Sequence, residues 1–136
     1  MFIYRNHTIE HLFKKYNPTY SGYGDISVQP SDLNEDVIVW FYELTWSYSY
    51  ENLINEIKDF KIKISHLFDE STENEVIIIY PDLSFLPKVT LNDFKLELEL
   101  ISFKRLIYNL SDSNSKIKIL DLNYFSRNYS KNKFID

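Results

Sequence analysis

The sequence contains no cysteine, which excludes disulfides and thiolate metal sites and leaves packing alone to hold the fold. Alanine is also absent, and there are only two glycines, Gly22 and Gly24. Large side chains must therefore fill the interior, and 11 Tyr, 10 Phe and 2 Trp, 17% of the residues, supply them. Arginine is limited to Arg5, Arg105 and Arg127, and there is no Gly-rich phosphate loop, no Gly-x-Ser-x-Gly elbow and no reactive thiol. No run approaches the roughly 18 apolar residues needed to cross a bilayer. The start, MFIYRNHTIEHLFKK, lacks the basic-then-apolar order of a signal peptide, so a cytoplasmic protein without a membrane partner is expected.

What is present is a chain of 136 residues, 44% hydrophobic and 26% charged, the proportions of one folded domain with one core. Its formal charge of -5 argues against a nucleic-acid partner, because phosphate affinity comes from Lys and Arg. A protein partner with a basic surface is the better electrostatic match.

A short pattern recurs along the chain. After Val37 to Tyr42 come Glu43, Leu44, Thr45 and Trp46; after Val76 to Tyr80 come Asp82, Leu83, Ser84 and Phe85; after Ile117 to Leu120 come Asp121, Leu122, Asn123 and Tyr124. Each copy reads acid, Leu, small polar, aromatic, and the acids at 43, 82 and 121 are equally spaced. Equal intervals favour a repeated supersecondary unit.

Helical periodicity fills the intervals. Leu53, Ile57, Phe60, Ile64 and Leu67 step by three and four, which predicts a helix from about Tyr50 to Phe68, with Ser49 as N-cap and Glu51 in the first turn. The segment after Thr90 to Asp93 is less uniform. Phe94 to Leu100 alternate with a strand period, while Leu100, Phe103, Ile107 and Leu110 follow a helical one. The Leu, Lys and Glu content favours a helix ending near Leu110.

Val37 to Tyr42 and Val76 to Tyr80 are apolar on both faces, the mark of strands covered by helices on both sides, whereas Lys116 to Leu120 alternates and suits an edge. The first 36 residues add a short apolar start, a predicted helix from about Asn6 to Tyr16 and a loop carrying both glycines. The expected fold is a single α/β domain over residues 1–136, with a mainly parallel sheet of three or four strands. It divides into an N-terminal extension (1–36), a repeated strand-helix core (37–124) and an Asn- and Lys-rich tail (125–136).

In a parallel sheet the three copies fall at the carboxyl ends of their strands, the edge where open α/β folds bind ligands. Glu43, Asp82 and Asp121 on one rim could hold Mg²⁺, or could simply sit at turns near positive helix N-termini. Trp46, Tyr48, Tyr50, Phe85 and Tyr124 either form an aromatic partner-binding rim together with these acids or fold down over the sheet as a core cap. Residues 7–11, HTIEH, match the His-x-x-Glu-His pattern of a zinc protease, with His7 and His11 one helical turn apart and Glu10 between them. An amphipathic surface helix with Ile9, Leu12 and Phe13 inward explains them as well. No catalytic residue, cofactor or metal is expected.

With this order of elements, residues 36–123 resemble a STAS domain, the module of anti-sigma-factor antagonists and related bacterial regulators. Asp82, Leu83, Ser84 and Phe85 match the family's acid-Leu-Ser-aromatic turn, Val76 to Tyr80 the strand before it, and Tyr42 to Leu44 the end of the earlier strand. The resemblance implies a non-enzymatic partner-binding module. Where the family carries a regulatory serine followed by glycine, this chain has Pro87, Lys88, Val89 and Thr90, with Val89 near the serine's place. The phosphorylation switch is therefore not implied. Three functions follow as expectations: a regulator that docks on and masks a protein partner, a bacterial immunity protein or antitoxin neutralising a basic toxin, and a carboxylate- or metal-dependent enzyme.

Overall fold

The computed structural model describes residues 1–41, 50–80 and 94–122. Stretches rich in β-branched and aromatic residues form five strands: Phe2–Arg5 (β1), Thr19–Tyr23 (β2), Val37–Trp40 (β3), Val76–Tyr80 (β4) and Ile117–Asp121 (β5). The helices are Glu10–Phe13 (α1), extended by a 3₁₀ turn over Lys14–Tyr16, then Tyr50–Leu67 (α2) and Phe94–Ser113 (α3). The sheet is wholly parallel in the order β2-β1-β3-β4-β5.

That order reverses direction at β1. The chain steps outward from β1 to β2, crosses back to β3, and then proceeds outward through β4 to β5. Such winding places the β1–β2 crossover on one face and the later α2 and α3 crossovers on the other, and leaves a switch point between β1 and β3. The two apolar clusters follow from it. Phe2, Tyr4, Val37, Val39, Val76, Ile78, Tyr80 and Ile117 point to the face covered by α2 and α3, where they meet Ile57, Phe60, Ile64, Phe103 and Ile107. Ile3, Ile38 and Ile79 point to the other face, where Ile9 and Phe13 meet them.

Four expectations are revised. The sheet has five strands rather than three or four, because Thr19–Tyr23, read as part of a loop, pairs with β1. The predicted helix over 6–16 shrinks to α1 and its 3₁₀ turn, which ends at Asn17 in the left-handed region (φ 47°). Within it Ile9 is buried, but Leu12 is 52% exposed instead of facing inward. Finally, the second face of β4 is covered only in part among the described residues, since Ile79 is buried there but Ile77 is 40% exposed. The edge position of β5 and the helices over 50–67 and 94–113 agree with the sequence reading.

Side-chain hydrogen bonds tie the amino ends of the strands. Asn114, buried at the α3–β5 junction, donates from Nδ2 to the Thr72 carbonyl at 2.8 Å, and its Oδ1 accepts from the Lys116 N–H at 3.0 Å. Asn74 donates to the carbonyls of Leu33 and Glu35 at 3.1 and 3.0 Å. Buried backbone carbonyls need such partners, so these amides fix two loops that regular structure leaves unpaired. On the carboxyl side the turn after β2 depends on Gly24, whose φ of 69° suits glycine and whose N–H donates to the Arg5 carbonyl at 2.7 Å. A side chain there would also meet the Lys63 Nζ at 2.9 Å.

Candidate functional site at the carboxyl edge of the sheet

Parallel pairing brings the ends of all five strands to one edge. Arg5 pairs in register with Tyr23 on one side and with Trp40 on the other, and Tyr80 pairs with Asp121. The recurring pattern begins at this edge. Glu43 lies three residues beyond the end of β3, Asp82 two beyond the end of β4, and Asp121 is the last residue of β5.

The ladder refines the repeat. The β3–β4 pairing is offset by 39 residues (Val37 with Val76), the same interval that separates Glu43 from Asp82. The β4–β5 pairing is offset by 41 (Val76 with Ile117). The third copy is therefore set back by two residues, and Asp121 stands beside Tyr80 rather than in line with Asp82. An offset of two keeps the face of the strand while moving the acid inward along it.

Asp121 is the one proposed rim residue whose side chain is described. Its Oδ2 pairs with the Lys104 Nζ of α3 at 3.4 Å, and only 13% of its side chain is exposed. The same Lys104 ammonium lies 5.2 Å from the centre of the Tyr80 ring. Burial, reinforced by the negative charges of Asp121 and Glu97, pushes the Tyr80 phenol up to about 12. Asp121 thus has a structural role, tying β5 to α3. Glu43, Trp46, Tyr48, Asp82, Phe85 and Tyr124 lie outside the described residues, and Tyr50 contributes the first backbone position of α2.

At the switch point the edge carries a cluster that no short pattern revealed. The Arg5 guanidinium donates from Nε to the Ser21 carbonyl at 3.0 Å, pairs through Nη1 with Glu10, and lies 4.7 and 4.8 Å from the centres of the Tyr20 and Tyr23 rings. The Arg5 N–H donates to Ser21 Oγ at 3.0 Å. Hydrogen bonding from Arg5 holds the Glu10 carboxyl below the usual carboxylate range. Two polar atoms here, Glu10 Oε2 and Trp40 Nε1, are buried without a hydrogen-bond partner among the described residues. Arg5 is therefore engaged in tying β1 to β2 and α1, and the edge next to it is a fixed aromatic and polar platform. Its members come from three separated segments, so only an unusual neighbourhood of Tyr20, Tyr23 and a scarce Arg hinted at it.

The HTIEH residues divide between different surroundings. His7 stands edge-on to Trp40 with ring centres 5.7 Å apart and its Nδ1 2.9 Å from Asn6 Oδ1, while Glu10 turns to Arg5 and His11 is exposed. Burial and the Arg5 charge lower the His7 pKa. No group of three or more metal-ligating side chains forms among the described residues. No helix among them is long and apolar enough to cross a membrane.

The opposite edge is different in kind. An open hollow of about 910 Å³ lies at the amino ends of the strands, its lining including Glu35, Asp36, Asp69, Glu73, Glu75 and Lys116. Acids outnumber bases there, although Lys116 Nζ donates to the Glu73 carbonyl at 3.1 Å and the N-terminal ammonium pairs with Glu35 at 3.1 Å. Set beside known proteins, the chain matches no family model, no curated protein and no solved structure.

Proposed function

We propose that the chain is a cytoplasmic, non-catalytic binding module that masks or regulates a protein partner through the carboxyl edge of its sheet. The observation that carries this reading is the parallel alignment of β3, β4 and β5. It makes the chain leave three neighbouring strands at one edge, each time into a copy of the acid-Leu-polar-aromatic pattern. Aromatic anchors beside carboxylates are the residue types that carry protein interface energy and select a basic partner. The resemblance to STAS domains supports partner binding as well, without the serine switch.

The test is affinity purification from the native cell. The wild-type chain should retain a defined protein, and Trp46→Ala combined with Phe85→Ala should lose it at an unchanged thermal midpoint. Retention by the double variant, or loss of the fold, would contradict a binding role for these rings.

A second reading, neutralisation of a basic toxin, is favoured by the acidic hollow at the amino edge. It predicts that Glu73→Lys with Glu75→Lys, both in the lining of that hollow, and not the aromatic double variant, abolishes the complex.

A further inference from the structure

α3 carries more apolar surface than its packing uses. Leu96, Phe103 and Ile107 are buried against the sheet, and Leu100, Leu106 and Leu110 pack partly on the same core. A second set, Phe94, Leu98, Ile101 and Tyr108, is 68%, 63%, 50% and 47% exposed. Its spacing of four, three and seven places it along one stripe of the helix, with Arg105 in the single gap. The side toward α2 is elsewhere, marked by the Lys61 Nζ contacts to Glu99 at 2.9 Å and Ser102 at 2.7 Å. Isolated exposed apolar residues are ordinary on a protein surface, but an aligned row of four large ones is a seam.

We propose that this seam is the contact of a symmetric homodimer, in which α3 packs antiparallel against α3 of a second copy with Ile101 on the dyad. The sequence of the seam argues for a copy of itself. Counting from Ile101, Phe94 lies seven residues before and Tyr108 seven after, so the antiparallel arrangement sets each Phe94 ring against the partner's Tyr108 and Ile101 against its own counterpart. A two-fold contact requires this self-complementarity.

Charge argues the same way. Counting from Ile101, Glu97 lies four residues before and Arg105 four after, so reversal of direction brings each Glu97 level with the partner's Arg105, with Lys104 one residue away on the same flank as Glu97. Lys104 keeps 41% of its side chain exposed while it holds Asp121. The four exposed side chains offer roughly 500 Å² per copy, against about 800 Å² per partner in a standard stable interface, which places the dimer among weak, concentration-dependent ones. Because α3 runs from the carboxyl edge back to the amino edge, the dimer directs its two carboxyl edges to opposite ends, giving two outward-facing binding edges.

The absence of cysteine makes the test direct. Sedimentation velocity of the full chain at rising micromolar concentration should show a monomer converting to a dimer. Leu98→Glu with Ile101→Glu should remain a monomer throughout, with the wild-type thermal midpoint at low concentration. Under mild oxidation Ile101→Cys, on the dyad, should form a covalent dimer, while Ile62→Cys, 57% exposed on α2 in the wild type, should form severalfold less. A wild-type chain that stays monomeric at all concentrations, a dimer indifferent to Leu98→Glu and Ile101→Glu, or equal crosslinking at both cysteines would each overturn the proposal.

Discussion

α2 and α3 cover the same face of the sheet, touch each other and are of similar length, yet they use their apolar residues differently. In α2 the row Leu53, Ile57, Phe60, Ile64 and Leu67 is buried, and among the described side chains the remaining surface is polar apart from the exposed Ile62 and the half-buried Ile54. In α3 an inner row closes the core and an outer row of four large side chains faces away from it. A helix whose apolar residues nearly all serve its own core teaches mainly about stability. One with a surplus on its far side points to something else that covers it.

Truncating the inner rows should have the largest effect. Ile57→Ala in α2 and Ile107→Ala in α3, at positions 2% and 0% exposed, should each lower the unfolding free energy by about 3 kcal/mol in urea titrations. Equal losses would show that the two helices serve the core alike. Asn114→Ala, which removes the amide that anchors the turn after α3, should cost about 2 kcal/mol by leaving the Thr72 carbonyl and the Lys116 N–H without their partner.

The helices also differ in what lies beneath them. α2 stacks Phe60 on Phe41, whereas α3 sets Phe103 and Lys104 over the titratable Tyr80. The Tyr80 phenol is raised from 10.0 to about 12, so the unfolded chain releases this proton first. Its contribution to stability is complete below pH 10 and declines as the pH climbs toward about 12. Tyr80→Phe should remove that part of the alkaline loss, read as a flatter thermal midpoint against pH. At the other end of the scale, His7 is lowered from 6.5, so its contribution holds above that pH and is lost on acidification below it. His7→Gln should flatten the acid limb. The smallest effects belong to the outer positions. Ile62→Gln and Ile101→Gln, 57% and 50% exposed in the wild type, should each change monomer stability by less than about 0.5 kcal/mol.

The same surplus explains what the sequence concealed. α2 was legible because a single apolar row at helical spacing has one interpretation. Over Phe94 to Leu100 the sequence alternates like a strand because Leu96 and Leu100 belong to the inner row of α3 while Phe94 and Leu98 belong to the outer one. β2 was missed for a different reason. Thr19 to Tyr23 carries a glycine and two small polar residues, and only Ser21 is buried, so an edge strand left no hydrophobic trace. The repeat identified β3, β4 and β5 and the edge at which they end, but its fixed interval of 39 could not show that β4 and β5 pair at 41. The Arg5 cluster depends on contacts of Arg5 with residues 20–23 that only the pairing of β1 with β2 creates.

The most direct test of the functional account is photo-crosslinking in the native cell from three positions, one at a time: Phe85 in the pattern after β4, Glu73 at the amino edge, and Ile101 on the outer row of α3. The account predicts that position 85 captures a different protein, that position 101 captures a second copy of this chain, and that position 73 captures neither. Capture of the partner from position 73 and not from position 85 would contradict it, moving the binding surface to the acidic hollow at the opposite edge of the sheet.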